Sequence, residues 1–405
     1  MKKTLSIVLL CALTLTGNAQ RAVQISVINT LKDFREAVPV VLNLHEYGNN
    51  VKSAMVSYKG KEVACQLDDL DGDDIFDELI FLTDLGKKET KTFQIEFSNE
   101  GEPKQYEPQV YVEMMLSNKK VKESNKQDLY ISQLTVENGT NAYWMIHHHG
   151  AAFESKKVAY RIYFDHRQTV DIYGKYHQGL ELKDTQFYPD QQQKDAGYGD
   201  DVLWVGSTFG VGALRGWNGK EPTMLEDVNH RTQRIVARGP LRTIVEVIDD
   251  GWKQNDLPRI KMTTRYTLYA GHRDCMVDVR FNRAVPEHQF ATGIINVKNS
   301  TAYSDGKGLR GCWGTDWPVS EKDSAGHKRE TVGLGICIPE QYINKELPAN
   351  KDNYGFVIVT NDDELHYAIS FCSDNEDFGF HSDKEWFEHL KIWKRELESP
   401  VVIKK

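Results

Sequence analysis

Between residues 23 and 97 apolar and polar positions alternate in short runs: VQISVIN, VPVVLNL, SAMVSYKGKEVACQL, ELIFLTDL and KTFQIEF. Runs of this length, rich in Val, Ile and aromatic residues and broken by Gly, Asn and Asp, predict strands rather than helices. They stop at NEGEPKQYEP, a polar, proline-bearing linker. Residues 20–100 are therefore expected to form a small immunoglobulin-like β-sandwich, on strand count alone. The same rhythm resumes in RTIVEVIDDGW, RIKMTTRYTLYAG, CMVDVRFNRAV, FATGIINVKN, TVGLGICIP, YGFVIVTN and LHYAISFCS. Residues 108–405 accordingly predict a large antiparallel β-sandwich, so the fold class is all-β. A helix closes it: SDKEWFEHLKIWKREL places Phe387, Leu390, Trp393 and Leu397 on one stripe, with Ser382 and Glu385 spaced as a capping box. Two interruptions, residues 184–201 and 304–330, are too long and glycine-rich for simple turns and are expected to act as lids or binding loops.

The first nineteen residues break the pattern. Lys2 and Lys3 precede an apolar run from Leu5 to Leu15, and Gly17-Asn18-Ala19 supplies small residues at a cleavage site. Residues 1–19 thus predict a secretory signal peptide, too short to span a membrane, and place the mature chain in the periplasm or outside the cell. No later run reaches membrane-spanning length. Its removal takes the formal charge from −9 to −11, 48 basic against 59 acidic residues. That balance argues against nonspecific binding to nucleic acid or anionic membranes, though not against an acidic ligand in a local basic pocket. Five cysteines remain (Cys65, Cys275, Cys312, Cys337 and Cys372), widely spaced and without a CxxC pair. They are expected to be mostly small buried hydrophobes, with at most one disulfide.

Three stretches carry candidate chemistry. DLDGDDIFDEL sets Asp69, Asp71, Asp73 and Asp77 at relative positions 1, 3, 5 and 9, a spacing that can wrap a structural calcium ion. Ile80 at position 12 excludes an EF-hand, and an acidic, solvated hairpin loop explains the run equally well. MIHHHGAAFES offers His147 and His149 on one face of a strand and His148 on the other. Zinc would need a third ligand that the spacing does not supply. A histidine acid or base at His148 or His149 fits better, against the plainer reading of hydrogen-bonded side chains at a strand end.

The third stretch, AYRIYFDHRQTVDIYGKYH, reads as a hairpin. Its polar residues share a face only if paired residue numbers sum to an even value. A three-residue loop at His166–Gln168 does this, pairing Tyr163 with Asp171 and Arg161 with Tyr173. The expected patch holds Arg161, Tyr163, Asp171, Tyr173, Lys175 and His177, either a site for an anionic, hydroxylated ligand or a solvated sheet face. Tyr198, Arg215, His230 and Arg231 are further binding candidates, and Trp204, Trp217, Trp313 and Trp317 offer flat surfaces to sugar rings unless they are core. No nucleophile elbow, P-loop, dinucleotide fingerprint or HExxH is present. A glycosidase carboxylate pair is not singled out by any spacing.

The runs FESKKVAYRIYFDHRQTVDIYGK, DAGYGDDVLWVGSTFGVGAL, GPLRTIVEV and DDLDGDDIFDELIFL resemble a family of secreted proteins of polysaccharide-degrading bacteria, catalogued as a domain of unknown function. The resemblance spans nearly the whole mature chain. It implies a galactose-mutarotase-like supersandwich and, from one relative, a uronate oligosaccharide dehydratase of ulvan breakdown. Elimination across C4–C5 of a uronate needs a base for the C5 proton, an acid for the departing oxygen and a cation beside the carboxylate. Arg161 or Lys175 would supply the cation, Tyr173 or Tyr163 the acid, and His148, His149 or His177 the base, with no cofactor. The expected function is β-elimination, as dehydratase or lyase, on an acidic oligosaccharide. The alternatives are a non-catalytic glycan-binding protein and a glycoside hydrolase.

Overall fold

The computed structural model describes residues 21–48 and 50–405, so the expected signal peptide at residues 1–19 lies outside the described residues. The described chain is all-β, made of antiparallel sheets and one long helix. One five-stranded sheet runs in the order Val402–Lys404, Arg21–Ile28, Thr90–Ser98, Ser53–Tyr58, Lys61–Val63, and a three-stranded sheet in the order Arg35–Asn43, Glu78–Leu85, Cys65–Asp68. Ile25, Val27, Val40, Leu79, Phe93 and Ile95, contributed by both sheets, share one buried core. The alternation read from the sequence puts these residues inward. The last strand, Val402–Lys404, pairs with Ser26–Ile28 at the other end of the chain, a partner that local patterning does not reveal.

A nine-stranded sheet dominates the rest, in the order Gln133–Glu137, His230–Arg238, Arg242–Trp252, Ile260–Tyr269, Asp274–Phe281, Glu364–Ser373, Glu330–Cys337, Leu309–Asp316, Thr301–Ser304. Two five-stranded sheets share its core, which includes Tyr160, Ile162, Ile172, Val245, Val277, Phe290 and Phe371. The interruption expected at 304–330 is in fact partly a strand, Leu309–Asp316. Its glycines have a packing role. A side chain at Gly311 or Gly335 would run into Leu390 of the helix, so bare backbone on that stretch of sheet makes the groove in which the helix lies. The helix spans Asp383–Glu398, and the Ser382 side chain accepts the Glu385 N–H as expected. Its buried stripe is Trp386, Leu390 and Trp393, with Phe387 and Leu397 packed at the margin.

All five described cysteines are free and buried. Among the described residues no helix is long and apolar enough to cross a membrane.

Candidate active site

The hairpin that the polar pattern singled out is present as Ala159–Tyr163 and Val170–Gly174, and its parity is as expected. Its register differs by two residues: Arg161 lies opposite Asp171, Ala159 opposite Tyr173 and Ile162 opposite Val170. The connection is longer than the expected three-residue loop, because Gln168 adopts a left-handed backbone (φ 43°) and the Tyr163 N–H reaches the Thr169 carbonyl at 3.1 Å. Tyr160, Ile162, Val170 and Ile172 enter the main core, and the charged residues take the other face.

That face is neither open to water nor an empty pocket. Phe187 packs over it, 4.0 Å from the Arg161 guanidinium and 5.4 Å from the Tyr173 ring. Arg161 is ion-paired with Asp171 and with Asp201 (3.1 Å), and its Nη1 donates to the Tyr188 hydroxyl at 3.2 Å. The Tyr163 hydroxyl donates to Asp171 at 2.7 Å. Burial, and then the neighbouring Asp171, push the Asp201 carboxyl well above its ordinary range. Arg161, Tyr163, Asp171 and Asp201 thus form a buried network, which Arg161 extends to the Tyr188 hydroxyl.

Several expected site residues lie elsewhere. Lys175 is fully buried, with Nζ 2.5 Å from Glu154, 2.8 Å from the Ser155 carbonyl and bonded to the Gly179 carbonyl, so its charge is not offered to a ligand. Tyr173 is a core residue beside Leu182 and Phe187. His177 is exposed and paired with Asp377 at 2.7 Å. Arg215 is buried and bonds Thr169 and the Leu214 and Thr208 carbonyls; burial lowers its pKa to about 10. Arg231 is buried against Asp249 at 2.7 Å, and His230 is exposed at the start of its strand. Tyr198 donates to Asp184 and borders a cavity of about 230 Å³ where residues 191–201 meet Pro318, His327 and Lys328. The two interruptions therefore do converge, although not over the hairpin patch.

Asp69, Asp71 and Asp77 bring carboxylate oxygens within 4.8 Å of one another, while Asp73 turns to accept the Ile75 N–H. The first three are also bonded within the loop: Asp69 to the Gly72 and Asp74 N–H groups, Asp71 to Asp73, and Asp77 to Leu70.

The histidine run departs furthest from expectation. It is a tight turn, His147–His149, not a strand, and His148 and His149 both have positive φ (43° and 71°). Across the same pocket Gln186 and Phe187 do likewise (46° and 70°). Left-handed non-glycine residues cost about 1–3 kcal/mol each and gather at functional sites, where packing over-determines them. Here Gln127 supplies the constraint: its N–H bonds the Gln186 side chain at 2.8 Å, and Gln186 Nε2 returns to its carbonyl at 2.9 Å.

These elements border an open cleft of about 270 Å³ lined by all three histidines, Trp144, Tyr188 and Lys119, together with Ile146 and Ser, Asn and Gln side chains. No carboxylate borders it. His149 stacks flat on Tyr143 (3.7 Å, 5°), and its Nδ1 lies 3.0 Å from the Tyr143 carbonyl. A carbonyl only accepts, so Nδ1 carries the proton and Nε2 the lone pair. Burial pushes the His149 pKa down to about 4, which leaves Nε2 unprotonated and free to accept at neutral pH, with a proton affinity below that of an ordinary histidine. His148 is fully buried with Nε2 3.2 Å from Glu113, whose carboxyl is pushed up to about 8 by burial, so that pair is neutral too. Tyr188 stays protonated because burial raises its pKa, and its oxygen receives the Arg161 N–H. Trp144 stands at the rim, 72% exposed. The sequence reading named His148 and His149 but not Tyr188, Trp144, Tyr143 or Lys119. Tyr188 falls inside the flagged interruption, and Tyr143-Trp144 directly precedes the histidines, whereas nothing in the sequence marks Lys119.

An all-β chain with a pocket lined by histidines and a tyrosine is what the fold and the site define. The family model described as a domain of unknown function (DUF4861) matches residues 27–403, and the chain belongs to that family. No curated protein matches the sequence. Similar solved structures include an α-mannosidase from Enterococcus faecalis V583 (TM-score 0.47, 11% identity), the match covering 95% of this chain and 46% of that one. A glycosyl hydrolase family 38 protein from Enterococcus faecalis gives TM-score 0.47 and 10% identity over 95% of this chain and 47% of that one. A 4-α-glucanotransferase from Thermococcus litoralis gives 0.25 and 10% over 55% and 39%. The chain spans about half the length of the first two.

Proposed function

We propose that this protein is a carbohydrate-active enzyme that performs β-elimination on a uronate-containing oligosaccharide, releasing water or a sugar from C4. The observation that carries the reading is His149: a neutral imidazole, tautomer fixed by the Tyr143 carbonyl, lining a cavity without carboxylates. His149 Nε2 takes the C5 proton, and the C5–H electrons form the C4=C5 bond as the C4–O bond breaks. The Tyr188 O–H delivers a proton to the leaving oxygen, and the Arg161 N–H steadies the phenolate left behind. Lys119, which has no ion-pair partner among the described residues, faces the substrate carboxylate and the enolate-like charge that grows on it. Trp144 gives a sugar ring a flat, exposed surface. These assignments move the acid from Tyr173 to Tyr188 and the cation from Arg161 or Lys175 to Lys119. Most glycoside hydrolases use two carboxyl groups flanking the scissile bond, and none lines this cavity, which favours elimination over hydrolysis here.

The test is to add uronate-terminated oligosaccharides and follow the ultraviolet absorbance of the conjugated unsaturated uronate. The signal is expected with the native chain and is expected to fall with Tyr188→Phe while glycan binding persists. Reducing sugar released without that absorbance would favour a hydrolase, and binding with unchanged ligand a non-catalytic module. The pH profile adds an independent check. His149 is active when deprotonated and its pKa is lowered to about 4. The acid limb of kcat/KM should therefore lie near pH 4, not near the ordinary histidine value of about 6.5.

A further inference from the structure

We infer that Asp201 is a positioning residue for the elimination, acting through Arg161 on Tyr188 and exchanging its own proton with solvent through a second cavity, a role that rests on the reading of Tyr188 as the acid. The route is short. Arg161 Nη1 donates to the Tyr188 hydroxyl at 3.2 Å and Nη2 to Asp201 Oδ2 at 3.1 Å, so one planar guanidinium joins the acid to the carboxyl. Asp201 is also the outward-facing end of this network. Its side chain is 24% exposed, against 3% for Arg161 and 1% for Asp171. It lines the cavity of about 230 Å³ where the two interruptions meet, which shares no lining residue with the histidine cleft.

Charge balance decides which form Asp201 takes. Arg161 Nη2 is shared by Asp171 and Asp201, two carboxyl groups on a single cation. Asp171 also receives the Tyr163 hydroxyl at 2.7 Å and the Ile172 N–H at 2.9 Å, which suit it to hold the negative charge. Asp201 accepts one further bond of this kind, from the Leu203 N–H at 3.2 Å. Two like charges on one partner repel, and Asp201 is the one that keeps a proton: burial, then Asp171, hold its carboxyl well above the ordinary range. The other groups around it leave that balance in place. On its own strand Asp200 is paired with Lys194 at 2.5 Å. The hairpin presents Arg161, Tyr163 and Asp171, with Tyr173 opposite Asp201 in the sheet. Across the cavity Lys328 lies 3.3 Å from Glu330 and donates to Tyr176, Tyr198 is bonded to Asp184, and His327 completes the ionisable lining. Neutral Asp201 is the favourable form. Arg161 then answers Asp171 and can steady the Tyr188 phenolate. As pH rises and Asp201 ionises, a second negative charge joins the guanidinium, and Tyr188 gives up its proton less readily.

Carbon-13 NMR of the full chain, labelled at tyrosine Cζ and aspartate Cγ, reads this coupling without any substrate. The Asp201 resonance, assigned by its loss in Asp201→Asn, is expected to titrate well above the ordinary aspartate value of about 3.9. The Tyr188 resonance, assigned by its loss in Tyr188→Phe, should inflect at the same pH, and the inflection should vanish in Asp201→Asn. With a uronate-terminated oligosaccharide, native kcat should fall by about three- to tenfold as pH rises through that inflection, with little change in KM. The kcat of Asp201→Asn should stay flat over the same interval. Any of three results would overturn the assignment: Asp201 titrating near its ordinary value, Tyr188 showing no inflection shared with Asp201, or the decline in kcat persisting in Asp201→Asn. The NMR titrations bear on the coupling alone, whereas absence of elimination on uronate glycans would overturn the reading of Tyr188 as the acid, so the two failures are told apart.

Discussion

His149→Ala is expected to lower turnover of a uronate-terminated oligosaccharide by roughly 10²–10⁴-fold, the usual contribution of a positioned general base. Binding should change far less, since Trp144, Lys119 and Tyr188 remain in the cavity. Initial rates from the absorbance of the unsaturated product, set beside calorimetric affinities, separate the two effects. His149→Gln is a stricter control. It keeps a polar side chain of comparable reach but no basic nitrogen, so it should stay inactive. Full activity in either variant would remove His149 from the base role and the elimination chemistry would lose its main support.

The largest expected effect on stability is at Lys175. Lys175→Met leaves Glu154 buried, although its carboxylate still accepts the Glu181 and Leu182 N–H groups at 2.9 and 2.8 Å. Breaking a buried pair from one side costs about 3–5 kcal/mol, because the remaining charge has lost its partner. Denaturant unfolding should show that loss. Adding Glu154→Gln should recover part of it, since the amide carries no charge to strand. Residual turnover per folded molecule should match the native value. A Lys175 that held substrate would instead raise KM without a comparable fall in stability.

The strands were legible from short β-branched runs: His230–Arg238 and Asp274–Phe281 alternate in burial, Arg242–Trp252 is buried along nearly its whole length yet has the limits that its apolar run suggests, and the helix cap at Ser382 was readable from two residues. The hairpin shows where such reading stops. Alternation determines which face a side chain takes, so Arg161, Tyr163 and Asp171 were correctly grouped, but the register depends on the turn, and Gln168 turns in a left-handed conformation that its residue type does not announce. The meaning of the polar face was misjudged for a different reason. Leu182 and Phe187, only 8 and 13 residues beyond the hairpin's last strand, fold back to cover it, and an ionisable patch read as a ligand surface became an internal network. The histidine run shows the converse. Three consecutive histidines before Gly150 look like the start of a strand, while the turn that aims His149 at the cavity is held by tertiary contacts such as the Tyr143 stack. The candidate site was thus half legible, in its histidines and in the flagged 184–201 segment that holds Tyr188, whereas the placing of Tyr188 and Lys119 beside those histidines is set by topology.

The pairing of Ser26–Ile28 with Val402–Lys404 bears on any attempt at dissection. Scissors applied at the polar linker near residue 100 would separate a fragment whose first strand has lost a neighbour, exposing a raw backbone edge that invites self-association. The fragment on the other side would carry a dangling tail with nothing to grip. Co-expressing the two halves so that they can clasp each other is the more promising way to study either one.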